Sequence, residues 1–163
     1  MRFSQISDSE KILFWENQLQ EGFINVNIEK YSMDEIKNWI LQLQNDIFSE
    51  KQLRFIIIHQ VSEGIIGSID LFEYDSKSNS AGVGIIIEEQ FRQQGHAFDA
   101  LSTLLKYSFN TLRLNNLWCY IVAENYNSIK LFLKCGFKIE KQEFNQNFKR
   151  EVLFLRIKNP NED

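Results

Sequence analysis

A short polar segment contains the residues whose types and spacing could do chemistry: Arg92-Gln93-Gln94-Gly95-His96-Ala97. It follows an apolar stretch with strand character and precedes a stretch with helical spacing. A loop that opens a helix leaves several backbone N–H groups without acceptors, and the positive end of the helix dipole attracts anions to them. Gly95 allows close approach to the backbone, Ala97 keeps the first helical turn slim, and Arg92 adds positive charge at the rim. The segment predicts an anion cradle suited to a pyrophosphate.

Two common phosphate-binding motifs do not fit this segment. The Gly-Lys-Ser/Thr ending of a P-loop is absent, and only one of the three glycines of a dinucleotide-binding fingerprint is present. His96 shares no ligand spacing with His59, the other histidine of the chain, so no metal site is predicted. We expect the His96 side chain to face solvent.

The overall charge excludes one class of partner. Lysine and arginine number 18 against 22 aspartates and glutamates, which gives a formal charge of −4. A protein whose affinity comes from neutralising phosphate backbones needs the opposite balance, so no nucleic-acid partner is predicted. The mild negative charge weakly favours a cationic small substrate.

Length and hydropathy predict one domain. The 163 residues fit one compact unit, which we place at residues 1–158, with a polar C-terminal tail at residues 159–163.

No apolar run is long enough to span a membrane, and the N-terminus lacks the apolar core of a secretory signal. Cys119 and Cys135 lack the spacing of a disulfide framework and are predicted as free thiols in a reducing compartment. We therefore expect a cytoplasmic protein without a membrane partner.

The N-terminal part of the chain predicts two helices. Ser7-Asp8-Ser9-Glu10 and Ser32-Met33-Asp34-Glu35 both match the capping box, in which a hydroxyl and a carboxylate satisfy the first backbone donors of a helix. After the second box, apolar residues recur at helical spacing as one stripe, made of Ile36, Trp39, Ile40, Leu43 and Ile47.

The rest of the chain predicts a mixed sheet. β-Branched and aromatic stretches bounded by turn residues predict strands at residues 53–61, 65–72, 81–87, 117–123, 137–144 and 148–157. A polar loop is predicted at residues 74–80. Helical spacing predicts helices over residues 98–112 and 127–135, the second ended by Gly136 in a left-handed conformation. This order predicts an α+β fold whose sheet contains one parallel crossover.

Two motifs together resemble a known family. The first, R-x-x-G-x-A after an apolar strand, covers Arg92 to Ala97, and the second runs from Asn125 to Phe137 and is similar to N-x-x-S-I-x-L-[YF]-x-K-x-G-F. In this order and at this spacing they resemble the GNAT superfamily of acyl-CoA-dependent N-acetyltransferases, in particular its RimJ/RimL-like and spermidine-acetyltransferase-like branches. The resemblance extends over most of the chain.

The resemblance implies a fold and a cosubstrate. It implies a central mixed, mostly antiparallel sheet flanked by helices, whose parallel fourth and fifth strands splay apart and hold the pantetheine arm of acetyl-CoA. No metal is implied. The cofactor-binding groups implied are the backbone of Ile85, Ile86 and Ile87, the amides of Gln93, Gln94, Gly95, His96, Ala97 and Phe98 beside Arg92, and the side chains of Asn125, Phe132 and Lys134. For Asn125, capping of the following helix is an alternative to binding the cofactor.

The resemblance leaves the catalytic groups open. It implies direct attack of a neutral amine on the thioester with a tyrosine as general acid, but Phe132 stands at that position and has no proton to donate. Ser128, one helical turn earlier, is the predicted substitute, either directly or through a water molecule that it holds. Asp70 is the predicted base, with Glu73 as a second candidate. A base acting through water, and a role for these carboxylates in attracting a cationic amine, are alternatives.

The predicted activity is transfer of an acetyl group from acetyl-CoA to a primary amine, either a polyamine-like small molecule or a protein N-terminal amine. Two alternatives stay open. Phe132 favours a GNAT-fold acyl-CoA-binding or regulatory module with little catalysis, and the other alternative is an amino-sugar acetyltransferase. The predicted partners are a small-molecule or peptide amine, and a homodimer is carried over from the branches that the chain resembles.

Overall fold

The computed structural model describes residues 1–23, 30–43, 45–146 and 149–160. Seven strands form one sheet in the order β1-β2-β3-β4-β5-β7-β6. Every neighbouring pair is antiparallel except β4 and β5, which run parallel. The strands are β1 (Arg2–Phe3), β2 (Leu53–Ile58), β3 (Ile65–Asp75), β4 (Ser80–Ile87), β5 (Asn116–Val122), β6 (Lys138–Asn145) and β7 (Arg150–Lys158). This confirms the predicted mixed, mostly antiparallel sheet.

Five α-helices flank the sheet among the described residues. Short 3₁₀ turns precede α1 and follow β4, and a π-helical segment (Tyr107–Thr111) directly continues α4. Within the described ranges, no helix is both long and apolar enough to cross a bilayer. The helices are α1 (Ser9–Phe23), α2 (Met33–Gln42), α3 (Ile47–Glu50), α4 (His96–Lys106) and α5 (Tyr126–Lys134).

Two buried clusters fix the helices on opposite faces of the sheet. Alternate residues of β2 point to opposite faces, and this divides the core. Phe55 and Ile57 belong to the larger cluster, which includes residues of α4 and α5, whereas Ile56 packs with Ile12 of α1 and Ile36 of α2. The α1–α2 pair and the α4–α5 pair therefore cover different faces.

The capping prediction is confirmed at α2 and wrong at α1. Ser32 and Glu35 form the predicted box, since the Ser32 hydroxyl accepts from the Glu35 N–H and the Glu35 carboxylate accepts from the Ser32 N–H. At the first site α1 begins at Ser9, and residues 6–8 form a 3₁₀ turn. The carboxylate that accepts a backbone N–H there belongs to Asp8, which binds Gln5 at 2.7 Å and is held by Arg2.

Several predicted boundaries shift. The stripe after Ser32 is not one helix, because Leu43 is extended and Ile47 begins the separate α3. Strand β3 continues to Asp75, into the predicted loop. The predicted helix over residues 98–112 starts earlier, at His96, and changes to π-helical hydrogen bonding at Tyr107.

The two strands of the last predicted hairpin are present as β6 and β7. Residue 147 of the predicted turn and residue 148, the predicted start of the second strand, lie outside the described residues. In the predicted polar tail, residues 161–163 also lie outside them. Asn159, the first residue of that tail, is buried, and its side chain donates to the Leu114 carbonyl at 3.0 Å. A side-chain contact therefore joins the start of this tail to the loop before β5.

Candidate active site

The parallel strands β4 and β5 separate soon after they meet. Only Ser80–Gly82 and Asn116–Trp118 are in register, although both strands continue for several residues. Backbone groups of β4 beyond Gly82 that face β5 therefore lack a strand partner. A cavity of about 210 Å³ opens at this divergence. Its walls include Trp15, Glu16, Arg54, Ser68, Asp70, Gly84, Ile85, Ile86, Cys119, Asn125, Ser128 and Phe132.

The loop after β4 has the geometry that its sequence predicted. Gln93 and Gly95 have positive φ angles of 58° and 92°, which turn the chain sharply before α4. Within the described part of the chain, the N–H groups of residues 93–98 have no backbone acceptor, and the first bond of α4 runs from Asp99 to the Gly95 carbonyl. The Arg92 Nε donates to the Ile87 carbonyl at 2.8 Å, which fixes this exposed side chain across the loop. Six free donors at a helix N-terminus are an arrangement that can bind an anion.

The prediction for the His96 side chain is wrong. His96 is the first residue of α4 and is half-buried. Its ring lies edge-on to His59, with 5.2 Å between ring centroids, and it also contacts Phe91. The His96 ring packs against an aromatic surface that His59 of the β2–β3 turn and Phe91 of the 3₁₀ turn after β4 form together. The His96 N–H nevertheless has no backbone acceptor among the described residues, like the other donors of this loop.

Helix α5 presents its N-terminal residues to the cavity. Asn125 caps the helix through its Oδ1, which accepts from the Ser128 N–H at 3.2 Å. The capping role proposed as an alternative is therefore real, and Asn125 also lines the cavity. Phe132 lines the same cavity, is 2% exposed and packs against Phe137 at 4.9 Å between ring centroids. Gly136 ends the helix with the predicted left-handed φ of 97°.

A contact between Lys134 and Phe98 joins the first turn of α4 to α5. The Lys134 Nζ lies 4.4 Å from the centre of the Phe98 ring. This cation–π contact holds a positive charge beside the first turn of α4. It places Lys134 close to the free amides of this turn.

Arg54, Asp70 and Glu16 form an ion network on the α1 side of the cavity that the sequence did not predict. Arg54 donates to both carboxylate oxygens of Asp70 at 2.9 and 2.8 Å, and its Nη2 also lies 2.6 Å from Glu16. The Trp39 ring covers the guanidinium at 4.9 Å. One feature of the sequence indicated this network. Arg54 is a lone charge inside the apolar stretch that forms β2, and a charge placed there needs a partner.

The network changes the acid–base properties of Asp70. Burial raises the pKa of Asp70 above its ordinary value, and the Arg54 guanidinium opposes this effect. The nearby Glu16 carboxylate adds to the increase. A carboxylate with a raised pKa accepts a proton more readily near neutral pH. Asp70 lies in the wall of the cavity, so the structure brings it together with Ser128 and Phe132.

The second acidic candidate lies elsewhere. Glu73 sits at an irregularity of β3 with a φ of 49°, and its side chain is exposed. It lines a different, more open cavity, together with Asp75 and Trp118. Glu73 therefore does not share the site of Asp70 and Ser128.

Cys119 is the thiol in the cavity wall. Burial raises its pKa to about 12, so the side chain remains a protonated thiol at neutral pH. Among the residues described, no group of three or more His, Cys, Asp or Glu side chains could hold a metal ion. The polar chemistry of this cavity comes from carboxylates, hydroxyls, amides and one guanidinium.

Comparisons with known proteins agree with this geometry. The family described as "Acetyltransferase (GNAT) domain" matches residues 1–138. An uncharacterized N-acetyltransferase, p20 of Bacillus licheniformis, is 30% identical over 102 residues, or 62% of this chain and 57% of that protein. A prophage-derived uncharacterized N-acetyltransferase of Bacillus subtilis, YokL, is 29% identical over 68% of this chain and 60% of its own length. The chain thus spans less than two thirds of the length of these two relatives.

A solved structure shows the same fold. The spermidine N-acetyltransferase of Vibrio cholerae in complex with CoA and spermine has a TM-score of 0.81 and is 23% identical, covering 97% of this chain and 94% of that one. The spermidine N(1)-acetyltransferase of Escherichia coli K12 is likewise 23% identical, over 76% of this chain and 68% of its own length.

Proposed function

The chain belongs to the acetyltransferase (GNAT) family, and on that premise we propose that it is an acetyl-CoA-dependent N-acetyltransferase acting on a primary amine. The observation that carries the proposal is the course of β4. This strand separates from β5 beside the half-buried carboxylates of Glu16 and Asp70, which line the cavity there, and it runs on toward the loop whose six amides are free. A long cosubstrate and an amine can meet in that arrangement.

The residues present fit acetyl-CoA, which when bound supplies the acetyl group as a thioester. The amides of residues 93–98 would hold the diphosphate, with Arg92 at the rim and Lys134 beside them. Beyond Gly82, the edge of β4 at Ile85–Ile87 has no pairing with β5 and would bind the pantetheine arm as a strand would, beside the Ile87 carbonyl that accepts from Arg92. Asn125 would bind the same arm from the end of β5.

Asp70 and Glu16 are the groups that would receive the amine. Two carboxyl groups share one guanidinium, so the cluster attracts a cationic amine. Asp70 would accept the proton that the ammonium form must lose, directly or through water. Arg54 would act as a positioning residue because it holds both carboxylates against the cavity.

The remaining steps rest on the backbone and on Ser128. A free N–H of β4 would stabilise the negative charge that develops on the carbonyl oxygen, and holding the two reactants together would supply much of the acceleration. Phe132 cannot protonate the leaving thiolate. Ser128 lies on the cavity side of the same helix and would do so, directly or through water.

Direct transfer is favoured over an acyl-enzyme route. An acyl-cysteine would need a thiolate in the cavity. Cys119 is the thiol that lines it, and burial raises its pKa to about 12. A protonated thiol is a poor nucleophile, so the amine itself would attack the thioester.

The acceptor, assembly and location are proposals of the same kind. A polyamine-like amine is supported by the relatives named as spermidine acetyltransferases, and a protein N-terminal amine is the rival acceptor. A homo-oligomer, with a homodimer as its smallest form, is supported by the dodecameric Vibrio cholerae neighbour. A cytoplasmic location is supported by the free thiols Cys119 and Cys135.

One experiment tests the activity. Purified protein is incubated with acetyl-CoA, a thiol-reactive dye and a panel of primary amines, and acetylated products are identified by mass. We expect thiol release that depends on the amine, with one acetyl group added per thiol. CoA binding without thiol release for any amine would instead support the binding module that Phe132 favours.

A further inference from the structure

Three aromatic rings pack together beside the start of α4. The ring centroid of His96, the first residue of α4, lies 5.2 Å from that of His59 and 6.3 Å from that of Phe91. The His59 and Phe91 centroids are 5.6 Å apart, so each ring contacts the other two. His59 reaches this cluster from the turn between β2 and β3, and no step of the proposed reaction uses it. The cluster therefore joins a distant turn to the helix whose first N–H groups are free.

His59 can hold a positive charge in this cluster. Histidine is the side chain whose charge ordinarily changes between about pH 5 and 8. A proton added at the His59 Nδ1 would have an acceptor, because the Ser62 Oγ lies 3.0 Å away, and the Phe91 ring next to it favours a cation. A proton added at the His96 Nε2 would have no acceptor in the described chain, since that atom is buried without a partner. The structure thus places the charge of the cluster on His59.

No neighbouring carboxylate neutralises a charge at this position. Within the part of the chain that the structure describes, no ion pair joins either histidine ring to an acidic side chain, and Glu88, which precedes the 3₁₀ turn, binds Lys11 of α1. The other charged residues on the elements around the cluster are exposed to solvent, which screens them; they are Glu63 of the β2–β3 turn, Glu89 of the 3₁₀ turn, Arg92 of the loop and Asp99 of α4. The field of a protonated His59 is therefore available to an anion bound at the start of α4.

We propose that His59 is a positioning residue for the cosubstrate and acts through His96: the protonated His59 ring adds its charge to the positive end of α4 and strengthens binding of a diphosphate to the free amides of residues 93–98. The inference rests on the proposed function, from which it takes the diphosphate. It adds that acid strengthens the binding of this group.

Coulomb's law gives the size of the effect. With two phosphate charges roughly 10 Å from the ring, the attraction at the dielectric constant of water corresponds to about fourfold in affinity. The coupling is reciprocal, so the bound diphosphate favours the protonated ring by the same factor. Proton uptake from solvent therefore accompanies cosubstrate binding in the pH range where His59 titrates.

Isothermal titration calorimetry at low salt, at about pH 8 and about pH 5.5, tests this dependence. Dephospho-CoA is the probe, because CoA itself carries a phosphate monoester that changes charge near about pH 6. Three proteins are compared: H59N has no charge at this position, the wild type gains one in acid, and H59K is charged at both pH values. Asparagine keeps an acceptor for the Ser62 N–H, which the His59 Nδ1 accepts at 3.3 Å, so H59N preserves the turn.

We expect the wild type to match H59N at the higher pH and to bind about fourfold more tightly than H59N at the lower one. H59K should bind about fourfold more tightly than H59N at both. Asp70, whose pKa burial raises, is present in all three proteins, so its titration cancels in these ratios. Equal affinities of the wild type and H59N at the lower pH would overturn the inference.

A second measurement uses the wild-type protein and does not depend on how a variant folds. The Cε1–H signal of His59, identified by its absence from H59N, is followed by NMR against pH with and without dephospho-CoA. The ligand should move the midpoint of this titration upward by about 0.6 pH, the logarithm of fourfold. An unmoved midpoint with the ligand bound would refute the inference. If the midpoint moves but no amine is acetylated, the proposed function fails and the inference stands; if dephospho-CoA binds at no pH, both fail.

Discussion

Replacing Gly95 with glutamate tests the anion site at its centre. Gly95 has a φ of +92°, and a Cβ built there would meet no atom within 4 Å. A side chain at this position therefore costs about 1–2 kcal/mol of backbone strain but causes no clash, so the fold is retained. Glutamine has the same size and carries the same strain, which makes G95Q the matched control for G95E.

The expected loss of affinity follows from the charge alone. The new carboxylate lies among the free amides of residues 93–98, where the diphosphate is proposed to bind. At a separation of roughly 6 Å, each pair of unit charges repels by about 0.7 kcal/mol at the dielectric constant of water and about 2.8 kcal/mol at an effective value of 20. Two phosphate charges therefore weaken CoA binding at least about tenfold relative to G95Q.

Isothermal titration calorimetry with CoA measures this difference. The gap between G95E and G95Q should narrow as salt is added, because counterions screen exposed charges. Circular dichroism and thermal melting check that both variants remain folded to the same degree. Equal CoA affinity for the two folded variants would refute the assignment of the diphosphate to this loop.

Three further changes test other parts of the molecule. F132Y supplies a phenol in the cavity wall and should leave the initial rate of thiol release unchanged or raise it, whereas a large loss in a folded variant would mean that the hydroxyl does not fit. Asp8 binds Arg2 through two contacts of 2.7 Å, and although burial opposes them, the hydrogen bonds from Arg2 and Gln5 hold the pKa of Asp8 below its ordinary value. A carboxyl group whose pKa is lower in the folded than in the unfolded protein stabilises the fold above its unfolded pKa, and this stabilisation is lost as pH falls. D8N should therefore lower the free energy of unfolding in urea by about 2 kcal/mol at pH 7 and by progressively less below about pH 4. A difference between the two proteins that does not change with pH would contradict this. C119A should keep kcat within about threefold of the wild-type value, since a thiol with a pKa raised to about 12 is not the nucleophile. A hundredfold or greater loss of kcat would instead support a mechanism through an acylated Cys119.

Local motifs predicted the structure well where their partners lie within a few residues. The box formed by Ser32 and Glu35 satisfies its own helix end, so its spacing alone suffices to predict it. Residues 7–10 carry the same pattern, but Asp8 is held by Arg2 of β1, and the helix begins one residue later. A two-residue strand has no periodicity that a sequence could reveal, so this competing partner was not foreseen.

In the candidate site too, features formed by consecutive residues could be predicted, and contacts between residues distant in sequence could not. The free amides of the loop after β4 depend on consecutive residues and could be predicted from Gly95 and its neighbours. The contact of Arg54 with Asp70 depends on strand register, since these residues face each other across β2 and β3. The inward turn of His96 depends on His59 in another hairpin. No spacing in the chain encodes such distances.

The brief pairing of β4 with β5 divides the sheet mechanically into two plates. One plate is β1 to β4 and the other is β5 to β7, and three residue pairs form the seam between them. The side chain of Asn79 reinforces one end of the seam, because its Nδ2 donates to the Arg113 carbonyl and to Asn115. A cosubstrate lying in the open end would fasten the plates along the rest of their length. Amide exchange on both strands should therefore slow together when CoA binds, and the seam residues should be protected even without it.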